Sequence, residues 1–345
     1  MANIFFIGAT GHIGGAVIDG LLSKNSNLSI TALFRSPDKA MRYQERFPAV
    51  KTVIGDLEDL YTIEEQSRAA AIVINTAPDL YMRVTDAVAR GLSSRPTRGF
   101  YIHTAGAALI WEQPCGESSP MIWDDIADID AIKNRPEGTT HKDTDSRVRS
   151  YASTMNVAII SPAYVHGLSP SPNHPTFLTL PDVVSTMRAF DSGFVIGKGA
   201  NRETFVHVVD LARMYVALVD DALCGPDEYD PRLWGVDAYY FGGDIEMSFR
   251  DFMELFVPLA KESGIITTDE IKSLAVGDPT EAAQYRNDRD IHEWSDHIIT
   301  MFGINMRCQS ARARELLGYE PKEKNVAKSL SESLDAFLKG AASSG

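Results

Sequence analysis

The feature that most constrains the fold is the order strand, glycine turn, helix at the start of the chain. An apolar run from Asn3 to Ile7 leads into Gly8-Ala9-Thr10-Gly11-His12-Ile13-Gly14, after which Ala16-Val17-Ile18 and Leu21-Leu22 recur at helical spacing. Glycines at positions 8, 11 and 14 let a backbone approach a pyrophosphate closely, and the helix that follows turns its N-terminal amides toward the charge. A tight turn with no ligand is the structural alternative, but the placement between strand and helix is what phosphate binding requires.

Further short apolar runs at 29–34, 51–54, 71–74, 100–102 and 157–160 alternate with helix-like stretches, which predicts an α/β chain with a doubly wound parallel sheet. The division expected is a dinucleotide-binding part at 1–165 with returning segments near 204–220 and 238–245, and a smaller substrate-binding lobe at 166–203 and 246–340. Proline, serine and glycine in Ser169-Pro170-Ser171-Pro172 and Pro175 mark where that lobe begins. Strands are expected at Thr204 to Val208 and Ala238 to Phe241, and a last helix at about Val326 to Leu338.

With 44% hydrophobic and 23% charged residues, 345 residues can bury a large core. A formal charge of -14 argues against nucleic acid as a partner, because a phosphate-binding surface needs clustered Lys and Arg. The cysteines, Cys115, Cys224 and Cys308, are too scattered for a disulfide framework or a paired zinc site, so no metal is expected. No run approaches a membrane span, and the first strand starts too early for a secretory leader, which predicts a cytoplasmic protein.

The end of the second strand reads Leu33-Phe34-Arg35-Ser36. An acidic residue there would accept from the ribose 2′-hydroxyl of NAD, whereas Arg35 with Ser36 favours the 2′-phosphate of NADP(H) or is a solvated strand-end cation. In Gly55-Asp56-Leu57, Asp56 either accepts from the adenine amino group or serves the turn.

These residues resemble those of the extended and atypical short-chain dehydrogenase/reductases, including the epimerase/dehydratase and NmrA-like branches, over nearly the whole chain. The resemblance rests on Gly8 to Gly14, Gly55-Asp56-Leu57, Asn75-Thr76-Ala77, His103-Thr104-Ala105-Gly106, Ser161-Pro162-Ala163-Tyr164-Val165-His166-Gly167, Phe205 to Ala212, and Leu317-Gly318-Tyr319-Glu320-Pro321. It implies a Rossmann fold whose cofactor site includes Gly8, Thr10, Gly11, His12, Ile13, Gly14, Arg35, Ser36, Asp56, Leu57, Asn75, Thr76, Ala77 and Pro162. The chain is also similar to fungal secondary-metabolism-type members, in which a Trp-x-Asp loop, here Trp123-Asp124-Asp125, precedes a His-x-x-x-Asp element.

The family's catalytic residues carry over incompletely. Thr104 falls where a Ser or Thr polarises the substrate carbonyl, although shifting the alignment by one puts Ala105 there. The Tyr and Lys positions hold His141 and Asp145. Spaced i and i+4, these two are expected on one helix face, where the carboxylate can orient the imidazole as a proton donor; polar residues at a cleft edge are the alternative. Lys142 would be turned off that face, and Tyr151 is the weaker candidate for a phenol. Trp111, Trp123, Tyr164 and Phe177 either rim a pocket for an aromatic or polyketide-like small molecule or pack in the core. The acidic run Trp123 to Asp130 reads as a solvated flap.

The function expected is NADPH-dependent reduction of a carbonyl, or else an imine or activated alkene, of a small organic molecule, with Thr104 orienting the acceptor and His141 backed by Asp145. A homodimer is compatible with it. Two other classes fit the same sequence: an NmrA-like dinucleotide sensor or scaffold without turnover, and a non-redox isomerase or cyclase.

Overall fold

The computed structural model describes residues 3–78, 81–225, 228–275 and 291–342. Its centre is a seven-stranded sheet of parallel strands, in the order β11-β7-β5-β4-β1-β2-β3. These are β1 (Asn3–Ile7), β2 (Ser29–Phe34), β3 (Lys51–Ile54), β4 (Ile72–Asn75), β5 (Phe100–Thr104), β7 (Asn156–Pro162) and β11 (Tyr239–Gly242). The middle strands are continuous apolar runs because both sheet faces are covered, as parallel sheets demand.

Strand alternation divides the core in two. Phe6, Ile102 and Ile160 point to α1 (His12–Lys24), α2 (Pro37–Arg46) and α8 (Val208–Leu223). Phe5, Tyr101 and Val157 point to the other face, covered by α3 (Leu60–Ala69), α4 (Met82–Ser93) and α6 (Lys142–Ser150). Chain order reverses between β1 and β4, so the crevice at a doubly wound sheet's switch point opens at the carboxyl ends of these strands, beside Gly8.

The remaining elements build a second layer beyond that edge. A three-stranded sheet has the order β12-β10-β8, from β8 (Tyr164–His166), β10 (Arg202–His207) and β12 (Ile245–Ser248). Two strand pairs join β9 (Gly193–Ile196) to β13 (Ile271–Leu274), and β6 (Trp123–Asp124) to β14 (Cys308–Gln309). The helices are α5 (Ile129–Lys133), α7 (Leu180–Phe190), α9 (Phe249–Glu262), α10 (Ile291–Gly303), α11 (Ala311–Leu317) and α12 (Val326–Ala342). Their shared core is aromatic: Phe194, Phe205, Phe249, Phe252 and Phe302 pack with ring centroids 5.0 to 5.7 Å apart.

Two expectations shift. The segment after Thr204 was expected to return whole to the main sheet; β10 instead joins the small sheet, and only α8 after it packs on the main one. The acidic run is not simply a solvated flap. Trp123 and Asp124 form β6, and Asp125 is fully buried, accepting from the backbone amides of Phe241 and Arg312 at 2.8 Å each. One carboxylate thereby ties β11 to the first turn of α11.

Candidate cofactor and catalytic site

A cleft of about 420 Å³ opens at the switch point, lined among others by Gly8, Thr10, Gly11, Arg35, Asp56, Leu57, Thr76 and Ala77. Gly8 has φ +90°, a conformation that disfavours any side chain, and a Cβ there would strike Thr76 and Ala77 at the end of β4. A Cβ on Gly14 would collide with the carbonyl oxygen of Gly8. Gly11 is the N-cap of α1, and no side chain caps that helix, so its first turn is open to an anion. The residues present therefore fit a dinucleotide: the glycines form a cradle that any Cβ would fill.

The predicted cofactor residues divide by what holds them. Thr76 donates to the carbonyls of Ile7 and Gly8, closing β4 onto the glycine turn. Asn75 is buried; it accepts from the Ala77 amide at 3.0 Å and donates to the Tyr101 hydroxyl, so it shapes the cleft from beneath. Ser36 caps α2 by accepting from Lys39 N, and Asp56 accepts from the amides of Glu58 and Asp59, the turn role weighed above, while still lining the cleft. Arg35 is exposed on the cleft rim. His12 turns away to donate to the Gly167 carbonyl at 2.8 Å, and burial pushes its pKa down to about 4. Ile13 packs against the helix-side core, and Pro162 ends β7 in register with Gly242. Sequence reasoning missed Lys39, Tyr81 and His174, which also line this cleft; no motif marks them, because the elements carrying them meet only in the fold.

His141 is not among the residues lining that cleft, and it is not within the helix. It is the N-cap of α6, in left-handed backbone with φ 67°, and the amide of Asp145 donates to its carbonyl at 2.9 Å. His141 thus stands at the entry of α6 rather than inside it, and the chain enters the helix through a left-handed turn. The ring packs on the loop after β5, where a Cβ added to Gly106 would lie 2.5 Å from Nε2 of His141. Left-handed non-glycine residues are costly and concentrate at functional sites.

Asp145 is fully buried on the inner side of α6. It and Arg149 flank Tyr239 of β11; the Arg149 guanidinium lies 5.0 Å over the Tyr239 ring, whose hydroxyl donates to Ser161 at 2.8 Å. Thr104 faces the opposite side of the sheet, with its hydroxyl 2.7 Å from that of Tyr215 on α8, and both are buried. His103, next to it, faces α6 and is bonded to the Tyr101 hydroxyl at 3.1 Å. Lys142 donates to the Lys133 carbonyl and to Ser146, and Tyr151 donates to Asp86 on α4, so neither points to the cleft. Tyr164 and Phe177 are core residues with ring centroids 6.1 Å apart, whereas Trp111 and Trp123 are half-buried. Among the described residues, no three His, Cys, Asp or Glu side chains cluster as a metal site, and no helix is long and apolar enough to cross a membrane.

Fold and cleft together define a dinucleotide-binding protein of Rossmann type. Residues 8–107 match the family model for NAD(P)H-binding domains. The chain is 25% identical over 334 residues, 92% of each protein, to an enzyme named oxidase ucsJ from an Acremonium species. A UDP-glucuronic acid 4-epimerase from Bacillus cereus, solved with UDP-glucuronic acid and NAD, has the same fold (TM-score 0.65, 14% identity, covering 98% of this chain and 99% of that one). So does a dTDP-glucose 4,6-dehydratase from Streptomyces venezuelae, solved with NAD (TM-score 0.63, 15% identity, 98% and 97% covered). The chain therefore carries an NAD(P)H-binding segment at 8–107 and shares the fold of these NAD-bound epimerase and dehydratase structures.

Proposed function

We propose that this chain is an NADP(H)-dependent oxidoreductase acting on a carbonyl of a small organic molecule, with His141 as the group that exchanges a proton with the substrate oxygen. The observation that carries this reading is the imidazole of His141 packed on Gly106, at the carboxyl end of β5, where a Rossmann sheet exposes its reacting ligands. The relative named an oxidase favours redox chemistry over a binding-only or purely isomerising role.

The bound dinucleotide supplies the hydride for carbonyl reduction. In that direction His141 gives a proton to the oxygen as the carbonyl carbon gains the hydride, so no charge is left on the product. Asp145, one turn behind it, is a positioning residue for the α6 entry. Thr104, held by Tyr215, orients the β5 loop from below rather than touching substrate. Arg35 at the end of β2 and Lys39 in the first turn of α2 favour a 2′-phosphate, and no acidic residue occupies 33–36, where an acceptor for a 2′-hydroxyl would stand. The described parts of the second layer, 166–203, 246–275 and 291–340, cover the substrate, and half-buried Trp111 and Trp123 suit an aromatic or polyketide-like one.

The test is NADPH consumption against a carbonyl panel. His141→Ala is expected to lower kcat by about 10²-fold or more with the Kd for NADPH unchanged; undiminished turnover would remove His141 from the chemistry.

A further inference from the structure

Residues 167–175 lie across the glycine turn as a strap. Ser169 donates to the carbonyl of His12 at 2.6 Å and Ser171 to that of Thr10 at 2.8 Å, while His12 donates back to the carbonyl of Gly167. The strap is closed on itself by the amide of Ser169 on the Pro175 carbonyl, and by the amides of Ser171 and His174 on the hydroxyls of Ser169 and Ser171. Contact with α1 is so close that a Cβ on Gly15 would strike Ser171. These bonds tie down an irregular segment whose only alternative partner is water.

The fixed strap delivers one side chain into the cofactor cleft. His174 is exposed, and it lines the same cavity as Arg35, Lys39 and Tyr81 on the β2 and β4 sides and Thr10 and Gly11 on the glycine turn. A dinucleotide in this cleft therefore meets nitrogen donors from separate segments, Arg35 and Lys39 from the end of β2 and α2 and His174 from the strap, with Asp56 and Glu58 also in the lining. An imidazole there can donate to a phosphate oxygen, and charge-assisted bonds of this kind are the strong ones in a binding site.

We infer that His174 is a phosphate ligand for the bound dinucleotide and that the strap is a cofactor-binding element. This rests on the dinucleotide reading above. The experiment is calorimetric titration of the full chain with NADP+ and, separately, NAD+. His174→Ala is expected to raise the Kd for NADP+ about ten-fold, with His174→Lys restoring most of the affinity and Ser171→Ala, which unties His174 from Thr10, weakening it as well. A loss for NADP+ alone places the contact on the 2′-phosphate, and an equal loss for both dinucleotides places it on the pyrophosphate. Unchanged affinity in a folded His174→Ala protein overturns the inference while leaving the dinucleotide site standing. A wild-type chain that binds neither dinucleotide would instead sink the reading beneath it.

Discussion

At the scale of single residues, the cleft and the α6 entry make opposite demands on side chains. Arg35 was visible from its place after β2, but Lys39 joins it only because Ser36 starts α2 and brings the first turn of that helix over the cleft. Arg35→Ala with Lys39→Ala should lower the preference for NADP+ over NAD+ by about ten-fold or more, read as the ratio of the two dissociation constants. His141 pays for its position with left-handed backbone. His141→Gly should therefore be more stable than His141→Ala by roughly 1 kcal/mol in thermal unfolding, although both lose turnover. If the alanine protein proved as stable as the glycine protein, the backbone there would carry no strain.

At the scale of elements, the glycine turn and the buried acid of the 123–125 segment are the two junctions on which others depend. Gly14→Ala places a methyl group against the Gly8 carbonyl. It should abolish measurable dinucleotide binding, checked by fluorescence of bound NADPH, even where circular dichroism shows the helices intact. Asp125 binds the amides of Phe241 and Arg312, and burial pushes its pKa up to about 7. Asp125→Ala leaves two buried amides without acceptors and should cost about 2 to 4 kcal/mol, measured by chemical denaturation. The motif Trp123-Asp124-Asp125 was legible as a motif, but its structural work was not, since the amides it binds lie more than a hundred residues away.

At the scale of the whole molecule, buried ionisable groups set how stability varies with pH. His12 and His166 are depressed by burial to about 4 and about 3, so the stability they contribute is complete above pH 6.5 and is lost as pH falls toward those values. Asp125 and Glu203 are raised by burial, to about 7 and about 8, so their contribution is present at low pH and is lost as pH rises through those values. The two slopes oppose each other between about pH 4.5 and 6.5, leaving the melting temperature nearly flat there and falling toward pH 8. Glu203→Gln should flatten the alkaline limb, and a melting temperature that rises from pH 6 to 8 would contradict the assignment. The sequence by itself determined the parallel α/β architecture and the glycine cradle, because periodicity and glycine spacing act over a few residues. Only the tertiary structure decided that His141 enters α6 in left-handed backbone with its ring on Gly106, that Thr104 is held by Tyr215, and that His174 lines one cleft with Arg35. Those relations join elements distant in sequence, and they are fixed by which faces the sheet must bury.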